Sequence, residues 1–310
     1  MKRMLVIVMG PTGVGKTAIA ARAAKSVGGE IVCADSRQLF RDMETGSAQP
    51  DDAAMHKVPH HLYAVLDPAE DVSAGRYRDM ARPVIAAIEA NGRVPLAVGG
   101  TGLYLRALTG SLGLVPPSSP AAIRRLTALA DQHGNGWLWR RLEKGDPEAS
   151  ARIKPGDRYR IVRALAVLEE TGRPLGAWHR EGRARTLPAV KVALTLERGI
   201  LYERINRRTG EMMAGGMLEE ARGLRKRFGK GPYPGSVRAI GYRHLFRHLE
   251  GEIGLDEAAE LVARDTRRYA KRQMTWLRGE KDLSWIDAGD PGRAAKELAG
   301  VAAGMRGKEV

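Results

Sequence analysis

The tightest constraint on this chain lies near its start. Gly10-Pro11-Thr12-Gly13-Val14-Gly15-Lys16-Thr17 fits the pattern G-x-x-x-x-G-K-[ST], and it stands between an apolar run, Met4 to Met9, and an alanine-rich stretch, Lys16 to Val27. A buried strand that turns through glycines into a helix is the setting in which this pattern has physical meaning. The glycines let backbone N–H groups converge on phosphate oxygens, the helix start adds partial positive charge, Lys16 reaches the terminal phosphates, and the Thr17 hydroxyl suits magnesium. A chain built this way is predicted to be α/β, a P-loop-type doubly wound parallel sheet that binds a di- or triphosphate.

The following residues extend that expectation. Glu30 to Ala34 reads as a second strand, Arg76 to Ala90 as a helix, and Val94 to Val98 as a third strand ending in Gly99-Gly100-Thr101. Strand and helix alternating, with glycine at strand ends, argues for parallel pairing. From Leu114 the texture changes. Pro116-Pro117-Ser118-Ser119-Pro120 leads into helical segments at Ala121–Gln132, Trp137–Glu143 and Arg158–Thr171. Val190 to Leu196 then reads as one more strand, followed by helices at about 200–214, 217–228, 238–249 and 256–278. The expected organisation is a catalytic core of residues 1–115 and 189–310 with a helical C-terminal region, interrupted by a mostly helical insertion domain, 116–188.

Cys33 is the single cysteine, which excludes an internal disulfide framework and a Cys-based zinc site and suggests a reducing, cytoplasmic setting. The apolar run Met4 to Met9 is too short for a membrane span, so no membrane partner is expected. Charge is unevenly distributed: residues 1–115 hold 13 basic and 11 acidic side chains (net +2), residues 116–310 hold 38 and 25 (net +13). A basic excess confined to one part of the chain points to a polyanion there.

What the phosphate compound is used for is a separate matter. An ATPase motor or switch ordinarily carries an acid at the end of a later strand, to order magnesium and water. Here that strand ends in Gly99-Gly100-Thr101 instead. The available carboxylate is Asp35, at the end of the second strand and so expected to face the cradle. By position it serves equally as a magnesium-side acid, as in a kinase, or as a base acting on an acceptor. His60 and His61 are adjacent, point apart, and have no evident third ligand, so a structural role is expected of them.

Several words of the sequence now fall into line: GPTGVGKT (10–17), DSRQLFRDM (35–43), PHHL (59–62), VGGTGLYL (98–105), the stretch from Asp146 to Pro174, RAIGYR (238–243) and AKRQMTWLR (270–278). Together and in this order they resemble the bacterial tRNA dimethylallyltransferases, also called tRNA isopentenyltransferases, from about residue 4 to about residue 287. The resemblance implies transfer of a dimethylallyl group from dimethylallyl diphosphate to the N6 amine of adenosine 37 in tRNA, with release of diphosphate. It implies Mg2+ held through Thr17, a leaving group neutralised by Lys16, the cradle and Arg208, a proton accepted by Asp35, and a hydrogen bond from Thr101 to the bridging oxygen.

The target adenine has to leave the stacked anticodon loop to react. The resemblance assigns its recognition to Ser36, Arg37 and Gln38, with the Gln38 amide suited to bidentate pairing. It assigns the grip on the anticodon stem-loop to Arg124, to Tyr159, Arg160, Ile161, Val162 and Arg163, to Arg238, Gly241, Tyr242 and Arg243, and to Lys271, Arg272, Gln273, Trp276 and Arg278. The basic runs at 152–185 and 264–278 suit phosphate contacts, with Tyr269 and Trp276 available for stacking. A monomer is expected. The rival readings are a small-molecule P-loop kinase, an adenylate isopentenyltransferase and an RNA-binding P-loop scaffold; the basic second part disfavours the first two, and the missing late acid the third.

Overall fold

The computed structural model describes residues 4–51, 57–110, 115–181 and 187–304. Leu114, where the sequence changes texture, and Arg183 and Arg185 of the basic run lie outside them. Contacts divide the chain into two compact units: Met1–Val72 with Arg76–Leu105 and Pro188–Val310, and Ser73–Gly75 with Arg106–Leu187.

The first unit is built on six strands, β1 (Leu5–Met9), β2 (Gly29–Cys33), β3 (His60–His61), β4 (Val94–Val98), β5 (Ala189–Thr195) and β6 (Leu283–Asp287). They form one sheet in the order β3-β2-β4-β1-β5-β6 with every pairing parallel. The P-loop-type α/β architecture expected from the sequence is therefore present. Every residue of β1, β2 and β4 is buried, which explains why these strands read as continuous apolar runs rather than alternating ones. β1 is central: Val6 pairs with Leu96 on one side and Val190 on the other. The order places the carboxyl ends of β2, β4 and β1 side by side, where open parallel sheets bind ligands.

Two strands escaped the sequence reading. β3 is only two residues, His60 and His61, opposite Ile31 and Val32. Its histidines are held structurally: His61 Nε2 lies 2.6 Å from Glu30 Oε2, and His60 Nδ1 lies 2.6 Å from the Val58 carbonyl oxygen. Among the described residues, no group of three His, Cys, Asp or Glu side chains is disposed to hold a metal. β6 is an exposed edge whose Trp285 faces solvent, so it lacks the burial pattern that marks the others.

Lys16–Val27 is helical as expected, bracketed by Gly15 (φ 97°) and Gly28 (φ 58°) in left-handed conformations, and it packs against a C-terminal helix, Pro291–Gly304, that the sequence reading did not anticipate. The later helices are Arg198–Met212, Leu218–Phe228, Ile240–Leu249 and Leu255–Arg278. A π-helical turn, Met213–Met217, joins the first two, with Gly216 at φ 96° breaking the regular path. Among the described residues no helix is long and apolar enough to cross a membrane.

The second unit is helical: Pro120–His133, Asn135–Gly145, Pro147–Ser150, Arg158–Thr171 and Leu175–Glu181. Leu126, Leu138, Leu142, Ile161 and Leu165 meet in its core. Its boundaries are written in side-chain caps. Ser119 Oγ accepts from Ala122 N at 3.1 Å, and Asp157 Oδ1 from Arg160 N at 3.2 Å. Asp146 is almost wholly buried because both its oxygens are used, Oδ1 by Ala149 N (3.0 Å) and Oδ2 by Leu175 N (2.7 Å).

Candidate active site

Three loops at the carboxyl ends of β1, β2 and β4 converge, and backbone geometry rather than side-chain chemistry brings them together. Gly99 N donates to the Val8 carbonyl (3.1 Å) and Ala34 N to the Val98 carbonyl (2.8 Å), which continues the sheet ladder past the strands. A Cβ on Gly99 would sit 2.0 Å from the Ala34 oxygen, so only glycine allows β2 and β4 to end this close together. Thr101 then ties the loops crosswise: its Oγ1 accepts from Ser36 N at 2.9 Å, and its own N–H donates to the Ala34 carbonyl at 3.3 Å. The Thr101 hydroxyl hydrogen is thus left to donate elsewhere.

These loops wall a cleft of about 260 Å3 with Thr12, Gly13, Gly15, Lys16, Thr17, Asp35, Gln38 and Arg208 on its surface, together with Ser47, Ala48 and Gly99. The cleft gathers the cradle, Asp35 with Gln38, and Arg208 from three separate parts of the sequence. Gly10, Pro11 and Val14 are buried behind it and shape the turn. Lys16 Nζ donates to the carbonyls of Gly10 (3.1 Å) and Pro11 (3.0 Å), so its charge rests on the loop it belongs to. Burial pushes its pKa down to about 8, against the pull of Asp35 and with help from Arg208. Arg208 reaches the cradle from the Arg198–Met212 helix and donates to Thr12 Oγ1 at 2.7 Å. Burial also lowers its pKa, opposed by Asp35 and Glu211. Two desolvated cations on one cleft suit an anion.

Arg204 and Arg207, which the sequence reading passed over, line a neighbouring recess of about 300 Å3 with Gly13, Gly15, Arg208 and Glu211. Their spacing from Arg208 and Glu211 on one helix was the available signal.

The Gln38 side chain differs from expectation. Its Nε2 donates to the carbonyls of Ser47 (3.1 Å) and Ala48 (2.8 Å). With two acceptors at that end, the group there has to be the NH2, and Oε1 remains as the atom a ligand can use. Gln38 is accordingly an acceptor, not the bidentate partner expected. Arg37 is also committed, donating to the Gly235 and Ser236 carbonyls at 2.8 Å each, while its backbone N–H donates to Asp35 Oδ1 at 2.9 Å.

Gln273 is a further correction. It is buried and bridges two loops, Oε1 accepting from Thr12 N (2.8 Å) and Nε2 donating to the Gly100 carbonyl (3.1 Å). Trp276, one turn on, lies so close to Gly102 that a Cβ there would meet its ring at 2.3 Å. This face of the Leu255–Arg278 helix supports the cleft rather than facing outward. Ile161, Val162, Gly241 and Tyr242, expected at an RNA surface, are likewise buried and offer no side-chain surface to a partner. Arg163 is half-buried, donating to Ser118 Oγ and the Pro116 carbonyl. The exposed members of the expected set are Arg124, Tyr159 (82% exposed), Arg160, Arg238, Arg243, Lys271, Arg272 and Arg278.

A cation fits this donor set. Thr17 and Asp35 offer hard oxygens to the cleft, as Mg2+ requires, though too few to hold it without substrate phosphates.

Comparison with known proteins shows the family. The family model described as IPP transferase matches residues 38–280, and one described as Isopentenyl transferase matches residues 3–67. The chain belongs to the IPP transferase family. It is 47% identical over 288 residues to a tRNA dimethylallyltransferase of Syntrophobacter fumaroxidans, covering 92% of this chain and 84% of that one. It is 46% identical over 294 residues to that of Geobacter metallireducens, covering 92% and 93%. A crystal structure of the full-length tRNA isopentenylpyrophosphate transferase from Bacillus halodurans superimposes with a TM-score of 0.72 at 37% identity, covering 98% of this chain and 97% of that one.

Proposed function

We propose that this protein is a tRNA dimethylallyltransferase, moving the dimethylallyl group of dimethylallyl diphosphate to the exocyclic amine of adenosine 37 in the anticodon loop. The observation that carries the reading is the meeting, on one cleft wall, of a diphosphate cradle, two desolvated cations and a lone carboxylate.

The reaction breaks the bond between the allylic carbon and the bridging oxygen and forms one between that carbon and N6; a proton leaves N6 and diphosphate departs. An allylic carbon ionises readily once its leaving group is neutralised, so the protein's main task is electrostatic. In this reading Lys16 and Arg208 neutralise that charge with the cradle amides, and the Thr101 hydroxyl, whose oxygen accepts from Ser36 N, donates its hydrogen to the bridging oxygen. Thr17, together with substrate phosphates, would hold Mg2+, which would supply further neutralisation. Adenine N6 bears two hydrogens: one goes to Asp35 as the new bond acidifies the amine, and the other is accepted by Gln38 Oε1. Guanine would present an oxygen to the same acceptor and be repelled.

The exposed basic residues named above are, on each unit separately, the tRNA contacts of this reading, and the work is done in the cytoplasm, where unmodified tRNA is found. The test is to incubate the protein with an anticodon stem-loop and labelled dimethylallyl diphosphate. Label should pass to adenine-37 stem-loop and not to the guanine-37 version; label on free adenine nucleotide instead would overturn it.

A further inference from the structure

We propose that Glu220 is a positioning residue for base selection, holding the turn that orients Gln38; the proposal rests on the function argued above. Gln38 owes its orientation to the carbonyls of Ser47 and Ala48, which end the short helix Glu44–Ser47. That helix is a single turn and cannot hold itself in place. What holds it is Glu220, on the Leu218–Phe228 helix: Oε2 accepts from Gly46 N at 2.8 Å across 174 residues of sequence.

The grip is specific to glycine. A Cβ at Gly46 would lie 2.2 Å from the Tyr242 hydroxyl, so Tyr242, Gly46 and Glu220 pack as one unit. The Glu220 carboxylate is largely buried beside the Tyr242 hydroxyl. Burying a carboxylate this way is costly, and its pKa is pushed up to about 7 by burial and by Glu44, against the Gly46 and Thr45 N–H groups and the Tyr242 hydroxyl. A carboxylate kept in such a place is doing more than filling space, for which an apolar side chain would serve better. Hydrogen bonds at each end, Glu220 to Gly46 and Gln38 to the Ser47 and Ala48 carbonyls, are joined by the two-residue backbone of the turn and end on the cleft wall.

The experiment compares Glu220→Ala and Glu220→Gln in the full chain, using adenine-37 stem-loop and dimethylallyl diphosphate. Glu220→Gln keeps an oxygen for Gly46 N; Glu220→Ala does not. We expect Glu220→Ala to lower kcat about tenfold while stem-loop affinity and the KM for donor stay within about twofold, because orientation rather than binding is lost. Glu220→Gln should recover most of that rate. Hydrogen exchange at the Gly46 amide should speed up at least tenfold in Glu220→Ala and stay slow in Glu220→Gln. In a Gln38→Ala background, Glu220→Ala should cost less than about twofold more, since the two act in series. Unchanged kcat in Glu220→Ala, failure of Glu220→Gln to rescue, or equal losses in both backgrounds would each overturn the proposal while leaving the function standing. Wild-type protein that transfers no label to the stem-loop would overturn the function, and the proposal with it.

Discussion

Replacing Gln273 by leucine removes both bonds that join the Leu255–Arg278 helix to the cleft loops while nearly keeping the side chain's volume. The Thr12 N–H and the Gly100 carbonyl, at 2.8 Å and 3.1 Å from the Gln273 amide in the wild type, are left facing hydrocarbon. Each orphaned buried group costs about 1–3 kcal/mol, and water admitted at the cleft recovers part of that, so a total of about 2–4 kcal/mol is expected. For a chain of this size ~1 kcal/mol corresponds to ~2 °C, so Tm should fall by roughly 4–8 °C. The loss should also reach ligand binding, because Thr12 belongs to the cradle and its N–H is fixed by this bond. Thermal unfolding with and without inorganic diphosphate would show both effects: a lower Tm and a smaller upward shift on adding diphosphate. Gln273→Glu separates the two bonds, since a carboxylate can still accept from Thr12 N but repels the Gly100 carbonyl and the incoming diphosphate. It should bind diphosphate less well than Gln273→Leu. If Gln273→Leu unfolds within 1 °C of wild type and binds diphosphate normally, the bridge carries no energy and the reasoning fails.

Other expectations follow from the same site. Because Lys16 is pushed down to about 8, a bound diphosphate should raise it again, so binding at pH 8.5 should take up protons, which calorimetry in buffers of different ionisation enthalpy would detect; no uptake would count against the buried cation. The same depression means that Lys16 costs stability when protonated: its contribution to folding should improve as pH rises from about 8 towards the unfolded-state value of about 10.5, and Lys16→Met should remove that slope from the stability profile. Asp35→Asn should reduce turnover by at least about a hundredfold with stem-loop affinity little altered, read by single-turnover kinetics; equal loss of affinity would contradict a role in proton transfer. Replacing Lys271 and Arg272 together by alanine should lower the slope of log affinity for tRNA against log salt by about 1–2, measured by filter binding, whereas an unchanged slope would remove that helix face from the RNA surface.

The parts of this molecule legible in its sequence are those fixed by local rules. The cradle, the strands β1, β2 and β4 and the long helices follow from periodicity, glycine placement and apolar runs, and they appear within a few residues of expectation. β3 and β6 were missed because pairing rather than composition makes them strands: two histidines and an exposed LSWID segment have no distinguishing pattern of their own. Lys16 and Asp35 stand out in the sequence by pattern and by strand end, Arg208 only by a family word, and all three line one cleft. Gln273, Tyr242, Ile161 and Val162 face inward, which a family word cannot show, since it marks a residue without saying which way it points. Gln273 sits amid exposed Lys271, Arg272 and Thr275, and only the 3.6-residue period relating it to Ala270 and Leu277, both buried, marks it as an inward position.

That inward glutamine also bears on how the protein is made. Thr12 is synthesised well ahead of the side chain that fixes its amide, which comes 261 positions later. β1, likewise, meets β4 early but waits for β5 until the whole of the helical unit has been synthesised. At about 5–20 residues per second, the interval between Thr12 and Gln273 is roughly 13–52 s, during which the glycine-rich loop has only part of its scaffold. A nascent chain released before residue 273 would therefore carry an incompletely braced cradle, and the anion-binding loop would be among the last features of the enzyme to become functional.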